Sequence, residues 1–396
     1  EKEKGDLERA RGERRQEEYV TRKSSGRTAG KPATRRKTKQ KGKIALLVVE
    51  LMVVVILLGV LGLFWYMERP SDTGNGTDGG KGGPLFNVSI KEDDLQISEQ
   101  VKENENLKEY RNIALFGVDS RKGALTKGTL SDSIIIASIN LETNDVKLCS
   151  VYRDTYLNLS NDKYGKCNSA YSYGGAEQAM KMLNMNLDLD IKDFVTIGFD
   201  GLTQVIDDIG GVYLDVDDEE LRHINSYQET MAQEMGVNYT PVTTTGYQLL
   251  NGLQATAYCR IRYKTGNDFA RAASQREVIQ AIVDKVKTMD LVTLTKVAND
   301  VSNNVYTSLS MDEIVGILGE VAKYNIVDEG GFPEATMRGA DRLGSKGSCV
   351  FPINLTENVS WLHEFLFNDT GYEPSKEVQE YSKIIHDFVS QYINID

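Results

Sequence analysis

Asn112-Ile-Ala-Leu-Phe-Gly-Val-Asp-Ser-Arg121 is a short apolar run that stops at a charged turn, the pattern of a strand buried on both faces. Ser133-Ile-Ile-Ile-Ala-Ser-Ile139 repeats the pattern, and a turn through Glu142-Thr-Asn-Asp145 leads into a third run, Val146-Lys-Leu-Cys-Ser-Val151. If the first two strands are antiparallel neighbours, Asp119 at the end of one lies beside Asp132 at the start of the other. The third strand, turned back from the second, brings Tyr152-Arg-Asp154 to the same edge. Carboxylates and an arginine from three segments then converge at one rim of a sheet, where α/β folds commonly hold ligands.

Working outward, helices are expected from Glu177 to Met185, from Gly201 to Ile209 (stopped by Gly210-Gly211), from Ala270 to Met289 and from Met311 to Lys323. Further strands are expected at Phe194–Ile197 and Val212–Val216, and at Thr256–Tyr263, which carries two arginines. Helices interspersed with buried strands indicate an α/β protein, an α/β/α sandwich around a central mixed sheet. The main folded domain is expected over residues 112–290. A polar segment, 85–111, precedes it, and a helical extension, 291–396, follows it and packs on the core without chemistry of its own.

The other end of the chain concerns topology. Ile44 to Met67 is apolar with Glu50 as the only charge, long enough to cross a bilayer core of about 30 Å. Ten Lys or Arg and no acid fall between Arg22 and Lys43, and Phe64-Trp-Tyr66 closes the stretch with interfacial aromatics. The positive-inside rule therefore predicts a cytoplasmic basic tail (1–43), a single-pass signal-anchor helix (44–67), a Gly-rich linker (68–84) and an extracellular C-terminal domain at the cell membrane. A cleaved signal peptide is the competing reading, but its apolar part is usually about 7–15 residues and ends in small residues. Residues 1–43 hold 16 basic and 7 acidic side chains and Glu50 adds one acid, so the net charge of −12 leaves −20 on residues 68–396. Such a domain is a poor nucleic-acid binder, which needs Lys and Arg to neutralise phosphate.

Three histidines make a His-based zinc site or a Ser-His-Asp triad improbable. Cys149, Cys167, Cys259 and Cys349 show no CxxC spacing, so a disulfide and buried free thiols both remain open. A second charged group follows: Arg260-Ile-Arg262, whose alternation places both guanidinium groups on one face of a strand, and then Asp268, Arg271, Gln275 and Arg276. Arg271 and Gln275 share a helix face at i, i+4. Ordinary salt bridging between surface charges is the competing reading. Against it, arginines gather around apolar strands in an otherwise acidic domain, and Arg suits a bidentate grip on phosphate. Two carboxylates with hydroxyl neighbours suit Mg²⁺ or Mn²⁺, completed by water and phosphate. The combination reads as a pyrophosphate site, and the absence of a Walker loop or Rossmann fingerprint gives no indication of a nucleotide.

Eight blocks in order carry a resemblance: Asn112–Arg121, Ser131-Asp-Ser133, Ser150-Val-Tyr-Arg-Asp-Thr155, Lys166-Cys-Asn-Ser-Ala-Tyr171, Asp207-Asp-Ile-Gly-Gly-Val212, Leu250-Asn-Gly252, Ala257-Tyr-Cys-Arg-Ile-Arg262, and Asp268-Phe-Ala-Arg271 with Gln275. Over about residues 110–290 the chain resembles the LytR-CpsA-Psr family of cell-wall glycopolymer ligases. The resemblance implies a long apolar pocket for a polyprenyl chain. It also implies transfer of a phosphoglycopolymer, teichoic-acid-like or capsular, from a polyprenyl-pyrophosphate carrier to peptidoglycan, usually to the 6-hydroxyl of N-acetylmuramic acid. On that pattern Asp119 and Asp132 match the metal-associated aspartates, and Arg153, Arg260 and Arg262 join Asp132 as catalytic residues. Arg153, Arg260, Arg262, Arg271 and Gln275 match the pyrophosphate and head-group contacts, with Arg121 and Lys166 inside matching blocks. The chain departs from the common pattern at Leu130 and Ser274, where many members carry Arg, and at Tyr152, where Pro is frequent. A hydrolase of the same lipid pyrophosphate and a non-catalytic wall-precursor receptor or transcriptional attenuator are the alternative functions.

Overall fold

The computed structural model describes residues 87–119, 125–262, 268–310, 313, 317, 319 and 321–395. The expected tail, anchor and linker lie outside the described residues, as does Arg121. Among the described residues no helix is long and apolar enough to cross a membrane. The strands are Tyr110–Val118 (β1), Ser131–Asn140 (β2), Asp145–Val151 (β3), Tyr156–Asn158 (β4), Tyr164–Lys166 (β5), Asp193–Gly198 (β6), Val212–Val216 (β7), Gly246–Leu250 (β8), Val305–Thr307 (β9), Asn325–Phe332 (β10), Arg338–Arg342 (β11) and Ser348–Pro352 (β12). The helices are Glu99–Glu103 (α1), Asn168–Leu187 (α2), Phe199–Asp208 (α3), Asp218–Met235 (α4), Gly252–Tyr258 (α5), Asp268–Val286 (α6), Leu291–Val301 (α7), Leu355–Phe367 (α8) and Lys376–Val389 (α9).

Six strands form a mixed sheet in the order β10-β3-β2-β1-β6-β9. β1, β2 and β3 pair antiparallel as their turns require, while β6 runs parallel to β1 and β10 parallel to β3. Successive residues face opposite sides of a strand. Ile113 and Leu115 accordingly join Ile135 and Ala137 in one core, and Ala114 and Phe116 join Ile134 and Ile136 in another. The first core is closed by side chains of α3 to α7 and the second by those of α2, α8 and α9, which makes the three-layer sandwich. Burial on both faces explains why these strands read as unbroken apolar runs.

Three expectations change. Residues 256–262 do not form a strand, and Tyr263, the last of the expected stretch, lies outside the described residues. Asn251 caps α5 by accepting from Gln254 N while the Gln254 side chain accepts from Asn251 N, and Ala255 and Ala257 in the turn that follows are good helix formers. The chain then leaves through a turn at Cys259 and Arg260. Nor is 291–396 a helical appendage: β9 and β10 from this region form the two edges of the central sheet, and β11 and β12 make a further hairpin. The polar segment before residue 112 belongs to the core as well. Leu95 and Leu107 are fully buried, and Asn87 and Val88 donate backbone hydrogen bonds to Leu309 and Thr307 of the segment that carries β9. The Met311–Lys323 helix falls largely outside the described residues, and its end, Val321–Lys323, is a 3-10 turn. All four cysteines are buried and free.

Asp190, after α2, accepts a hydrogen bond of 2.7 Å from Asn112 Nδ2, and burial pushes its carboxyl up to about 6. The folded state thus favours the neutral acid. That preference is fully present below the ordinary value near 4 and is lost as pH rises through about 6. Asp190→Asn, which stays neutral and keeps the acceptor, is expected to raise unfolding free energy by about 2 kcal/mol at pH 7.5 and by almost nothing at pH 4. Denaturant unfolding at the two pH values measures this, and an equal gain at both would exclude the buried charge as its source.

Candidate active site

The predicted convergence of β1, β2 and β3 is present, with a detail that only register reveals. Gly117 faces Ser133 but Val118 faces Ser131, so Asp132 is the extra residue of a β-bulge. A bulge re-aims its side chain, and here it places Asp132 in the same cavity as Asp119. Gly117 permits the close approach, since a Cβ there would lie 2.9 Å from that of Ser133. Arg153, just beyond β3, forms an ion pair with Asp132.

The other half of the site comes from α5 and α6. Backbone bonds from Cys259, Arg260 and Ile261 to Ala255, Ala257 and Tyr258 continue the end of α5 as a tightening turn. Ile261, 4% exposed, anchors this turn, while Arg260 and Arg262 on either side line the cavity. The Arg260 guanidinium stacks 4.5 Å from the Phe199 ring centroid, a favourable cation–π contact. Arg271 and Gln275, one turn apart on α6, complete the charged wall of a void of about 660 Å³ that includes its open mouth.

Asp268, at the first turn of α6, ties these groups together. Its carboxylate lies 3.3 Å from Arg153 Nε, 3.7 Å from Arg262 Nε and 3.2 Å from Arg271 Nη2. Burial raises its carboxyl to about 6, and a hydrogen bond with Asp154 pushes the same way, against the charges of Arg153 and Arg262. Burial also raises Asp154, but its hydrogen bonds with Asp268 and Lys166 and the charge of Arg153 more than offset this and hold it below the usual range.

Behind the charged cavity lies an apolar one, a void of about 700 Å³ counting the open space at its mouth, between the sheet (Leu115, Ile135, Val195) and α6 (Val278, Ile279, Ile282). Both cavities are lined by Phe199, Cys259 and Gln275, so the apolar channel ends at the arginines. Of the sequence-predicted residues, Asp119, Asp132, Arg260, Arg262, Arg271 and Gln275 line the charged cavity. Arg153 is bonded to its Asp132, and Lys166 stands one step back, 2.8 Å from Asp154. Arg276 does not stand in for an arginine at Ser274. It is turned toward the sheet, donating to Ser150 Oγ at 2.6 Å and pairing with Glu329 at 3.1 Å. Ser274 bonds back to Ala270 O, and Leu130 is 46% exposed.

Sequence reasoning missed Asp268 as the hub, although a carboxylate flanked by Arg262 and Arg271 was the available signal. It also missed Phe199 and Tyr227, which no charge pattern marks. As for a metal, Asp119 and Asp132 offer two carboxylates to one open cavity. Among the described residues no group of three or more His, Cys, Asp or Glu is placed to hold an ion. That donor set fits a hard divalent cation that takes its other ligands from water and phosphate.

An apolar cavity meets one lined by arginines and carboxylates inside an α/β/α sandwich, and the two linings have the chemistry of the two ends of an amphiphile. The chain belongs to the LytR_cpsA_psr family, whose profile matches residues 86–357, well beyond the 110–290 expected. It is 29% identical over 281 residues to the polyisoprenyl-teichoic acid–peptidoglycan teichoic acid transferase TagU of Enterococcus faecalis, covering 69% of this chain and 82% of that protein. It is also 29% identical over 306 residues to biofilm regulatory protein A of Streptococcus mutans, covering 68% and 72% of the two chains. Among solved structures, the family protein YwtF (TagT) with bound octaprenyl pyrophosphate lipid shares the fold, with a TM-score of 0.50 at 21% identity over 69% of this chain and 96% of that one.

Proposed function

We propose that the protein transfers a phosphoglycopolymer from a polyprenyl-pyrophosphate carrier to a peptidoglycan sugar hydroxyl. The observation that carries this reading is the continuity of the two cavities through Phe199, Cys259 and Gln275. One ligand with an apolar tail and a dianionic head satisfies both. The names of the relatives, teichoic acid transferases acting from polyisoprenyl carriers, and the octaprenyl pyrophosphate held by a protein of the same fold support it.

Arg260, Arg262 and Arg271 grip the pyrophosphate, and Gln275 marks the junction of head and tail. The acceptor hydroxyl attacks the polymer-side phosphorus, a new P–O bond forms as the hydroxyl gives up its proton to solvent, and the bond to the lipid phosphate breaks so that lipid monophosphate leaves. Phosphoryl transfer of this kind is mostly positioning and charge neutralisation. Asp119 and Asp132 would hold Mg²⁺ or Mn²⁺, which when bound neutralises pyrophosphate charge. Asp132 is already paired with Arg153, whereas Asp268 is the carboxylate that Arg262 and Arg271 share. Residues 44–67 would anchor the chain in the cell membrane with the catalytic domain outside, and the charge of −20 on residues 68–396 fits a partner other than nucleic acid.

The full-length chain, given a synthetic polyprenyl-pyrophosphoryl oligosaccharide and peptidoglycan fragments, is expected to yield the phosphodiester-linked adduct and polyprenyl monophosphate by mass spectrometry. Free phospho-oligosaccharide in place of adduct would make the protein a hydrolase. Donor binding without either product would make it a receptor, the role that the name of the Streptococcus mutans relative leaves open for that protein.

A further inference from the structure

Arg338 lies on β11, far in sequence from the residues of the charged cavity, yet its side chain reaches the segments that carry them. Its guanidinium carbon is 3.7 Å from the ring centroid of Phe269 and 4.9 Å from that of Tyr152. Its Nη1 donates to Tyr152 Oη and to Pro333 O, each at 3.1 Å. Among the described residues no carboxylate pairs with it, so the charge is spent on two rings, a phenol and a carbonyl. Tyr152 precedes Arg153 and Phe269 follows Asp268, and their rings meet edge to face at 4.5 Å. Arg153 and Asp268 are themselves paired at 3.3 Å.

The surroundings are shaped for this contact. A Cβ at residue 331 would lie 2.1 Å from Tyr152 Oη, so Gly331 leaves the room that the hydroxyl occupies. The backbone on both sides of Arg153 is fixed from the same region: Tyr152 N donates to Phe332 O, and Val350 N to Asp154 O, each at 3.0 Å. We infer that Arg338 is a positioning residue of the transfer reaction: clamped on Phe269 and Tyr152, it holds the turn after β3 against the start of α6 and so sets Arg153 relative to Asp132 and Asp268. This rests on the transfer reading above. It goes further in assigning part of the site's geometry to a side chain that never enters the cavity, and in giving Tyr152, which departs from the common proline, a partner.

A misplacement of about 1 Å at a reacting centre costs up to about 10²-fold in rate. In the full-length chain assayed with the same synthetic donor, Arg338→Ala is therefore expected to lower kcat about 10- to 100-fold with KM for the donor within about threefold. Arg338→Lys should recover part of the loss, because an ammonium can sit on Phe269 but cannot also reach Tyr152 and Pro333. Phe269→Leu keeps apolar volume without the ring face and should lower kcat in the same direction. Combined with Arg338→Ala it should add little, since contacting residues of one network are not additive. Melting temperature is followed for each variant. An unchanged kcat in Arg338→Ala, losses that multiply in the double variant, or a loss that merely tracks the unfolded fraction would overturn the inference. The unsubstituted chain separates the two levels. Absence of adduct there removes the transfer reading and the brace with it, whereas full turnover in Arg338→Ala alone removes only the brace.

Discussion

Arg260→Ala and Arg262→Ala are each expected to reduce glycopolymer transfer by about 10²–10³-fold, the usual cost of removing one preorganised donor aimed at developing charge. Both stand on the turn that ends α5, held by the buried Ile261 between them, and both face the charged cavity. Among the described residues Arg260 makes no ion pair. Its guanidinium rests on Phe199, so it is oriented without being neutralised. Arg262 shares Asp268 at 3.7 Å, a loose contact that leaves most of its fork available. Lysine at either position keeps the charge but not the planar fork and should restore only a fraction of the rate. Stability should change little, because neither side chain is deeply buried. Steady-state transfer by the full-length chain is the measurement, and unchanged turnover in both variants would move the pyrophosphate elsewhere.

The second large effect concerns stability. Gly252, the first residue of α5, has no room for a methyl group: a Cβ there would lie 1.9 Å from Thr203 O and 2.8 Å from Asp207 Cγ. Its N–H donates to Asp207 Oδ1 at 2.7 Å, and Thr203 and Thr256 bond through their hydroxyls at 3.0 Å, so α3 and α5 touch along their backbones. Gly252→Ala must push these helices apart. Overpacking against a backbone atom falls at the upper end of the usual penalty, about 3 kcal/mol, or roughly 5–10 °C in melting temperature. It should also weaken transfer, because Arg260 beyond α5 stacks on Phe199 at the start of α3. A melting temperature within a degree of wild type would mean that the helices slide without cost.

How much of this was legible in the sequence depends on what each element needed. The first three strands were, because burial on both faces leaves apolar runs and the turn at 142–145 forces the direction of the third. Their order alone brought Asp119, Asp132 and Arg153 together. The bulge that aims Asp132 was not legible, since it is a mismatch between two strands and belongs to neither. The strand expected at Arg260-Ile-Arg262 failed because alternation over three residues also fits a turn, while the decisive signal, the cap at Asn251 and Gln254, stood nine residues upstream. β10 was missed because it is an edge strand whose middle, Val327-Asp-Glu329, is exposed and carries two acids, as edges usually do, and is followed by two glycines. Missing it hid the role of the last hundred residues, and with it Arg338.

The placement of β9 and β10 at the two edges has a consequence for how the protein comes into being. As the chain is synthesised, β1, β2, β3 and β6 are complete long before Val305–Phe332 exists, so a four-stranded sheet waits with both flanks unpaired. Open flanks invite pairing with other chains. The late strands therefore act as closures for an intermediate that is vulnerable on both sides at once. A fragment ending near residue 290 would carry nearly every charged group of the cavity and still be expected to aggregate.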